Sequence, residues 1–136
     1  MTSDKLWDPL RKKEVAATPE ERVRQWFISF LKQNVGVPEH MMMSEVEVSF
    51  GQAGKTYRAD ILVYGKNLKP LVVVECKRPE VELTAETLNQ ALRYDMVLGV
   101  DYIFITNGKT SYAFHKEDGQ LKTLKTIPGY IEICQQ

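Results

Sequence analysis

Hydrophobic and polar positions divide the chain into short β-type segments and two longer segments with a helical period. Residues 58–64 and 71–77 are rich in aliphatic and β-branched side chains, and the turn between them contains Gly65 and Pro70. This pattern is typical of a β-hairpin. The second strand is apolar over four consecutive positions, as in a central strand that is covered on both faces.

Residues 18–33 carry the signals of a helix. Thr18 can cap its N-terminus, Pro19 suits the first helical position, and Glu21 stands three residues after the cap. Apolar residues then recur with a helical period until a glycine and a proline follow. A second helix is predicted to start with Thr84 as its cap and to end near residue 98, before a glycine.

Further strands are predicted at 44–50, 102–106 and 111–115, and an edge strand within 121–133. Residues 51–56 (GQAGKT) are superficially similar to a phosphate-binding loop. The P-loop pattern requires a glycine where Ser49 stands, and a helix rather than a strand afterwards. We therefore predict a hairpin turn there.

The order of these elements predicts one α/β domain with three layers, in which helices cover both faces of a central sheet. With 136 residues, of which 43% are hydrophobic, the chain is long enough to bury its own core. We divide it into an N-terminal arm (1–17), a core (18–118) and a C-terminal edge strand or tail (119–136). We expect the polar arm to be solvated.

Charge, cysteine content and missing motifs limit the classes of function that the chain can have. The formal net charge is zero, so any contact with nucleic acid must come from local basic clusters such as residues 11–13. Two cysteines are too few for a disulfide framework, and we expect a reducing, cytoplasmic environment. No apolar run is long enough to span a membrane, and neither a zinc cluster nor a serine-hydrolase motif is present.

Three charged residues are predicted to meet at the open end of the hairpin. If Tyr64 opposes Leu71 across the turn, Asp60 opposes Glu75, and Lys77 lies on the same face. Directly opposed Cβ atoms lie roughly 4.5–5.5 Å apart, so the two carboxylates could bind one hard divalent cation. Charged residues at strand ends are often simply solvated. A strand that is apolar before Glu75 favours the functional alternative.

Asp60, followed fifteen residues later by Glu75-Cys76-Lys77, resembles the motif of the PD-(D/E)XK nuclease superfamily. Ala59 stands where a proline is usual. Residues 6–11 (LWDPLR), 18–25 (TPEERVRQ) and 90–94 (QALRY) are similar to the N-terminal nuclease domain of type I restriction enzyme R subunits. The similarity extends over most of the chain.

This resemblance implies the restriction-endonuclease-like fold, with a mixed sheet between helices. It also implies a DNA endonuclease that uses Mg²⁺, with Mn²⁺ as a substitute. The expected metal ligands are Asp60, Glu75 and the backbone carbonyl of Cys76. Lys77 is expected to contact the phosphate or to orient the attacking water.

Three other residues have two interpretations each. Gln90 and Tyr94 have the spacing that some of these nucleases use near the active centre, although a half-buried helix face would also explain them. The resemblance implies that Glu21 supports the metal site in some members. Its capping role is the favoured interpretation, and the two roles are compatible.

Two functions therefore compete. The first is a Mg²⁺-dependent endonuclease domain whose partners are DNA and other restriction-system subunits or a helicase motor; a homodimer is also compatible with the sequence. The second is a non-cleaving module that keeps the fold and binds DNA or a protein. The neutral charge favours the second, as does the lack of a helicase region in this sequence, and the intact Asp60, Glu75 and Lys77 favour the first.

Overall fold

The computed structural model describes residues 4–50, 54–95 and 99–135, with side chains except those of residues 49, 50, 94 and 95. Its elements in chain order are β1 (Lys5–Asp8), β2 (Lys13–Ala16), α1 (Pro19–Phe30), β3 (Met42–Phe50), β4 (Lys55–Tyr64), β5 (Pro70–Cys76), α2 (Ala85–Asp95), β6 (Tyr102–Thr106), β7 (Ser111–Glu117), β8 (Gln120–Leu124) and α3 (Tyr130–Cys134).

A six-stranded mixed sheet forms the centre of the molecule, with the strands in the order β3-β4-β5-β6-β7-β8. The pair β5 and β6 is parallel, and all other neighbours in this sheet are antiparallel. Parallel strands need a long crossover connection, and here the connection between β5 and β6 contains α2. The predicted α/β class with a mixed sheet between helices is confirmed.

The two faces of the sheet bury different helices. On one face, Phe27 of α1 and Leu31 just after it pack in a cluster with Val72 and Val74 of β5. On the other face, Ala91 of α2 packs in a cluster with the intervening β5 residue, Val73. All of β6 is buried, because it lies between both helix layers. Burying each large aliphatic or aromatic side chain contributes roughly 1.5–3 kcal/mol.

Both predicted helix starts are present. The Thr18 hydroxyl accepts a hydrogen bond from Glu21 N at 3.1 Å, and Pro19 is the first residue of α1. Thr84 accepts from Thr87 N at 3.2 Å at the start of α2. The α-helical part of α1 ends earlier than expected, because a wider π-type turn (Leu31–Val35) leads into Gly36, which has a φ of 85°.

The β4–β5 hairpin has the predicted register in its centre, where Ile61 pairs with Val74. The predicted pairing of Tyr64 with Leu71 is wrong, since Tyr64 pairs with Pro70 after a register shift. The cause is a tight helical turn (Lys66–Leu68) with left-handed residues inside it. The shift stays at the turn and does not move the pairing of the strand centres.

The N-terminal segment forms the antiparallel hairpin β1–β2 instead of the solvated arm that was expected. Asp8 anchors this hairpin, since its side chain is completely buried and accepts a hydrogen bond from Ser44 Oγ of β3 at 2.8 Å. The expected edge strand is β8, and the chain then turns into α3. Of the predicted turn at 51–56, residues 51–53 lie outside the described residues. No helix of the described chain is both long and apolar enough to cross a membrane.

Candidate active site

Asp60 lies where the regular alternation of β4 is interrupted. Ala59 packs with the α2 cluster and Ile61 with the α1 cluster, although residues two apart on a regular strand point to the same face. On the neighbouring strand Glu45 has a φ of 50°, and the pairing passes from Ser44 to Val46 without it. Such irregularities often redirect a side chain next to a functional site.

The Asp60 carboxylate has a partner on each oxygen. Oδ1 accepts a hydrogen bond from Arg24 Nη2 of α1 at 3.0 Å, and Oδ2 accepts one from Cys76 N at 2.7 Å. The side chain therefore extends across the end of β5 towards α1. Two charge-assisted hydrogen bonds hold the carboxylate in one orientation.

Glu75 lies at the end of β5, beside Lys77. Its Oε1 is 3.2 Å from Lys77 Nζ. Its Oε2 is buried and has no hydrogen-bond partner among the described residues. Both side chains line a small cavity of about 150 Å³ against α2, together with Thr87, Gln90 and Ala91. A buried carboxylate oxygen without a partner is costly in free energy. A bound cation would reduce that cost.

Asp60 and Glu75 are therefore close but are held towards different layers. Cα of Glu75 lies about 2.4 Å from Cys76 N by standard bond lengths, and Asp60 Oδ2 is 2.7 Å from that nitrogen, so this oxygen lies within about 5 Å of Glu75 Cα. Simple alternation predicted that Asp60 and Glu75 would point to the same face of the sheet. Their contacts instead point to different faces, because β4 is irregular at Asp60. That both carboxylates bind one ion stays a prediction.

The other predicted site residues divide between this cavity and the core. Gln90 lines the cavity, and its role in the site stays a prediction. Cys76 donates its backbone N–H to Asp60, while its thiol is in the core, where burial raises the thiol pKa well above its usual value. Tyr94 lies on α2, but its side chain is outside the described residues.

Arg24 is the central cation on the α1 side, although it was not among the predicted site residues. Its side chain is 3% exposed, and its guanidinium lies 2.7 Å from Glu21, 3.0 Å from Asp60, 3.3 Å from Glu45 and 3.7 Å from Glu20. Burial alone would lower the Arg24 pKa, but attraction to Asp60 and Glu21 outweighs it and the pKa is raised. Burial and repulsion by Asp60 raise the pKa of Glu20.

Glu21 takes part in the helix cap through its backbone, while its carboxylate contacts other side chains. Its backbone N–H completes the cap with Thr18. Its carboxylate accepts hydrogen bonds from Arg11 and Arg24, each at 2.7 Å, and from Gln25 at 3.1 Å. The side chain thus supports Arg24 and, through it, Asp60. Whether Glu21 also serves a metal stays a prediction.

Arg11 connects this cluster to the N-terminal hairpin. It donates to Asp8 and Glu21, and it lies 3.6 Å from Glu45. Because Arg11 is held by carboxylates, only the two lysines of the basic cluster at 11–13 are exposed. A signal for Arg24 was present in the sequence, since this arginine lies on the apolar stripe of α1, four residues before Ile28.

Within the described ranges, no group of three or more histidine, cysteine, aspartate or glutamate side chains is arranged to hold a metal ion. Mg²⁺ commonly uses one or two carboxylates, with waters and substrate phosphates completing its shell.

Residues 19–128 match the sequence model of the type I restriction enzyme R protein N-terminus family. The chain belongs to this family. The match extends from the start of α1 past the end of β8 and therefore includes Glu21, Arg24, Asp60, Glu75 and Lys77. A search of curated proteins finds no match.

Solved structures share the fold of this R protein N-terminal domain. A fragment of a candidate HsdR subunit of a type I restriction enzyme from Vibrio vulnificus YJ016 is 20% identical, with a TM-score of 0.63. A candidate nuclease of the DUF820 family from Anabaena variabilis ATCC 29413 is 11% identical, with a TM-score of 0.54. The structure of a DrdV–DNA complex is 19% identical, with a TM-score of 0.53.

The shares of each chain differ widely in these comparisons. The match to the Vibrio protein covers 85% of this chain and 24% of the Vibrio chain. The match to the Anabaena protein covers 96% of this chain and 83% of that protein. The match to DrdV covers 79% of this chain and 10% of the DrdV chain. The chain therefore spans about a quarter of the length of the Vibrio protein. A restriction-endonuclease-like domain is the conclusion that these matches support.

Proposed function

We propose that this domain is a metal-dependent DNA endonuclease, and that Asp60, Glu75 and Lys77 perform the hydrolysis of a phosphodiester. The observation that carries the proposal is the buried Oε2 of Glu75, which lies beside the Lys77 ammonium and has no hydrogen-bond partner in the part of the chain that the structure describes. The family match supports the choice of substrate, and so does the similarity to DrdV, whose structure was solved as a complex with DNA.

The residues present fit a divalent cation. Asp60 in the middle of β4 and Glu75 and the backbone carbonyl of Cys76 at the end of β5 supply oxygen atoms, and hard cations such as Mg²⁺ prefer oxygen ligands. When bound, Mg²⁺ would act as a Lewis acid on the phosphate and lower the pKa of a bound water. Mn²⁺ would be its substitute in binding experiments.

Lys77 is proposed to bind the phosphate that is cleaved. Its backbone N–H donates to Thr106 O at 2.8 Å, which fixes the residue beside the end of β6. Its side chain is one-third exposed, so the ammonium can be reached from solvent. A cation positioned in this way stabilises charge that develops on the phosphate oxygens. Gln90, which lines the same cavity, would orient Lys77 or the DNA.

The partners of the domain are proposed on the same basis. The family match to type I restriction enzyme R proteins supports other restriction-system subunits or a helicase motor as partners in cleavage. The two cysteines are free, in keeping with a reducing cytoplasm. A homodimer is an additional hypothesis, to be tested by measuring the mass in solution.

A plasmid-nicking assay tests the proposal. We expect the parent protein to nick DNA with Mg²⁺ and not with EDTA, and Lys77→Ala to lower the rate about 10²–10³-fold, as when a group that stabilises developing charge is removed. Lys66→Ala, at the exposed turn of the same hairpin, is the matched control and should cleave like the parent. Absence of nicking by the parent, alone and with a type I helicase subunit added, would leave the non-cleaving module as the function.

A further inference from the structure

We propose that Arg24 is a positioning residue, which fixes the Asp60 carboxylate in the orientation that a metal requires. This inference rests on the proposed function, because it concerns the same site. Arg24 is nearly fully buried, and it contacts Asp60 and Glu21 through different nitrogens, Nη2 at 3.0 Å and Nη1 at 2.7 Å. A planar guanidinium can donate in two fixed directions, which an ammonium cannot.

The arrangement restricts Asp60 from both ends. Arg24 holds Oδ1 and the Cys76 N–H holds Oδ2, while each carboxylate oxygen keeps a second lone pair. The carboxylate can thus accept a cation without giving up either hydrogen bond. Without Arg24, repulsion from Glu20 and Glu45 would push the Asp60 side chain away from this orientation.

Arg24 is itself held from outside the site. Glu21 accepts hydrogen bonds from both Arg24 and Arg11, and Arg11 donates to the completely buried Asp8 of the N-terminal hairpin. A chain of alternating charges therefore extends from β1 to Asp60. Groups that orient a metal ligand typically change metal affinity about 10- to 100-fold when they are altered.

Mn²⁺ binding by Arg24→Lys tests the inference, with Arg22→Lys as a matched control on the same helix. Arg24→Lys keeps the buried positive charge and loses the two-directional contact, so we expect its Mn²⁺ affinity to fall at least about tenfold. Arg22 is exposed and paired only with exposed Asp4 among the described contacts, so Arg22→Lys should bind Mn²⁺ like the parent. Electron paramagnetic resonance of free Mn²⁺ gives both affinities.

Unchanged affinity in Arg24→Lys would overturn the inference, since charge alone would then suffice. Tighter binding would also overturn it, because Arg24 would be a competitor of the metal. If Arg24→Lys does not fold, the parent protein decides: the side-chain ¹H–¹⁵N signals of Arg24 should stay protected from solvent exchange at saturating Mg²⁺, and loss of protection would contradict a positioning role. A parent that binds no metal refutes the proposed function and this inference together, whereas a binding parent with an unaffected variant refutes this inference alone.

Discussion

The two sides of the β5 strand end differ in how their charges are satisfied. On the α1 side, Asp60 and Glu21 share the buried Arg24 guanidinium, and each has a further hydrogen-bond donor. On the α2 side, Glu75 has a single ion pair with a partly exposed lysine and one buried oxygen without a partner among the described residues. Buried polar groups are normally satisfied within the protein. The difference supports the proposal that Arg24 and Glu21 support Asp60 structurally and that Glu75 faces a ligand.

Removing Arg24 should break the α1 side and produce the largest loss of stability. Arg24→Met leaves the carboxylates around it without their shared cation, and breaking a buried pair in this way costs about 3–5 kcal/mol. Arg22→Met should change the free energy of unfolding by less than about 0.5 kcal/mol, because its ion pair is exposed. Urea unfolding measures both, and equal losses in the two variants would refute the supporting role.

Asp8 should make the stability of the α1 side depend on pH. Burial alone would raise the Asp8 pKa, but hydrogen bonds from Arg11, Leu10 N and Ser44 outweigh it, and the pKa is lowered from its usual 3.8. A lowered folded-state pKa gives stability that is present above pH 3.8 and is lost as the pH falls through the folded-state value. Asp8→Asn should cost about 1–3 kcal/mol at pH 7.

The stability difference between the parent and Asp8→Asn should then vanish at acid pH, below the lowered pKa. Thermal unfolding from pH 7 to pH 2 measures it for both proteins. A difference that stays constant over this range would show that the Asp8 charge does not hold the N-terminal hairpin against β3.

Much of this architecture follows from local sequence signals. The caps at Thr18 and Thr84 and the β4–β5 register are present, because helix starts and period-two strands are dictated by nearby residues. The Tyr64 pairing and the N-terminal hairpin were missed. Both depend on contacts formed only in the folded chain, such as the contact of Asp8 with Ser44.

The candidate site was predictable in part for the same reason. The motif identified Glu75 and Lys77 as neighbours, and the ion pair between them is present. The direction of Asp60 was not predictable, because the alternation of β4 is interrupted between Ala59 and Ile61. Arg24 contacts Asp60 although 36 positions of sequence separate them. The position of Arg24 on the helix indicates its burial, but no local pattern predicts Asp60 as its partner.

Substitution of Glu75 should change the stability of the metal-free protein much less than substitution of Arg24. Its ion pair with Lys77 is partly exposed and contributes little. We expect Glu75→Gln to change the metal-free free energy of unfolding by less than about 1 kcal/mol. Urea unfolding with EDTA present measures this change, and a loss as large as that of Arg24→Met would mean that Glu75 is part of the structural support.

Mn²⁺ titration of the parent, Glu75→Gln and Glu80→Gln tests the central claim most directly. Glu80 is the matched control, since it lies close to the site in sequence but is exposed. We expect the parent and Glu80→Gln to bind Mn²⁺ equally, and Glu75→Gln to bind at least about tenfold more weakly because an oxygen ligand has lost its charge. Equal binding by all three proteins, or no binding by the parent, would contradict a metal site at Glu75.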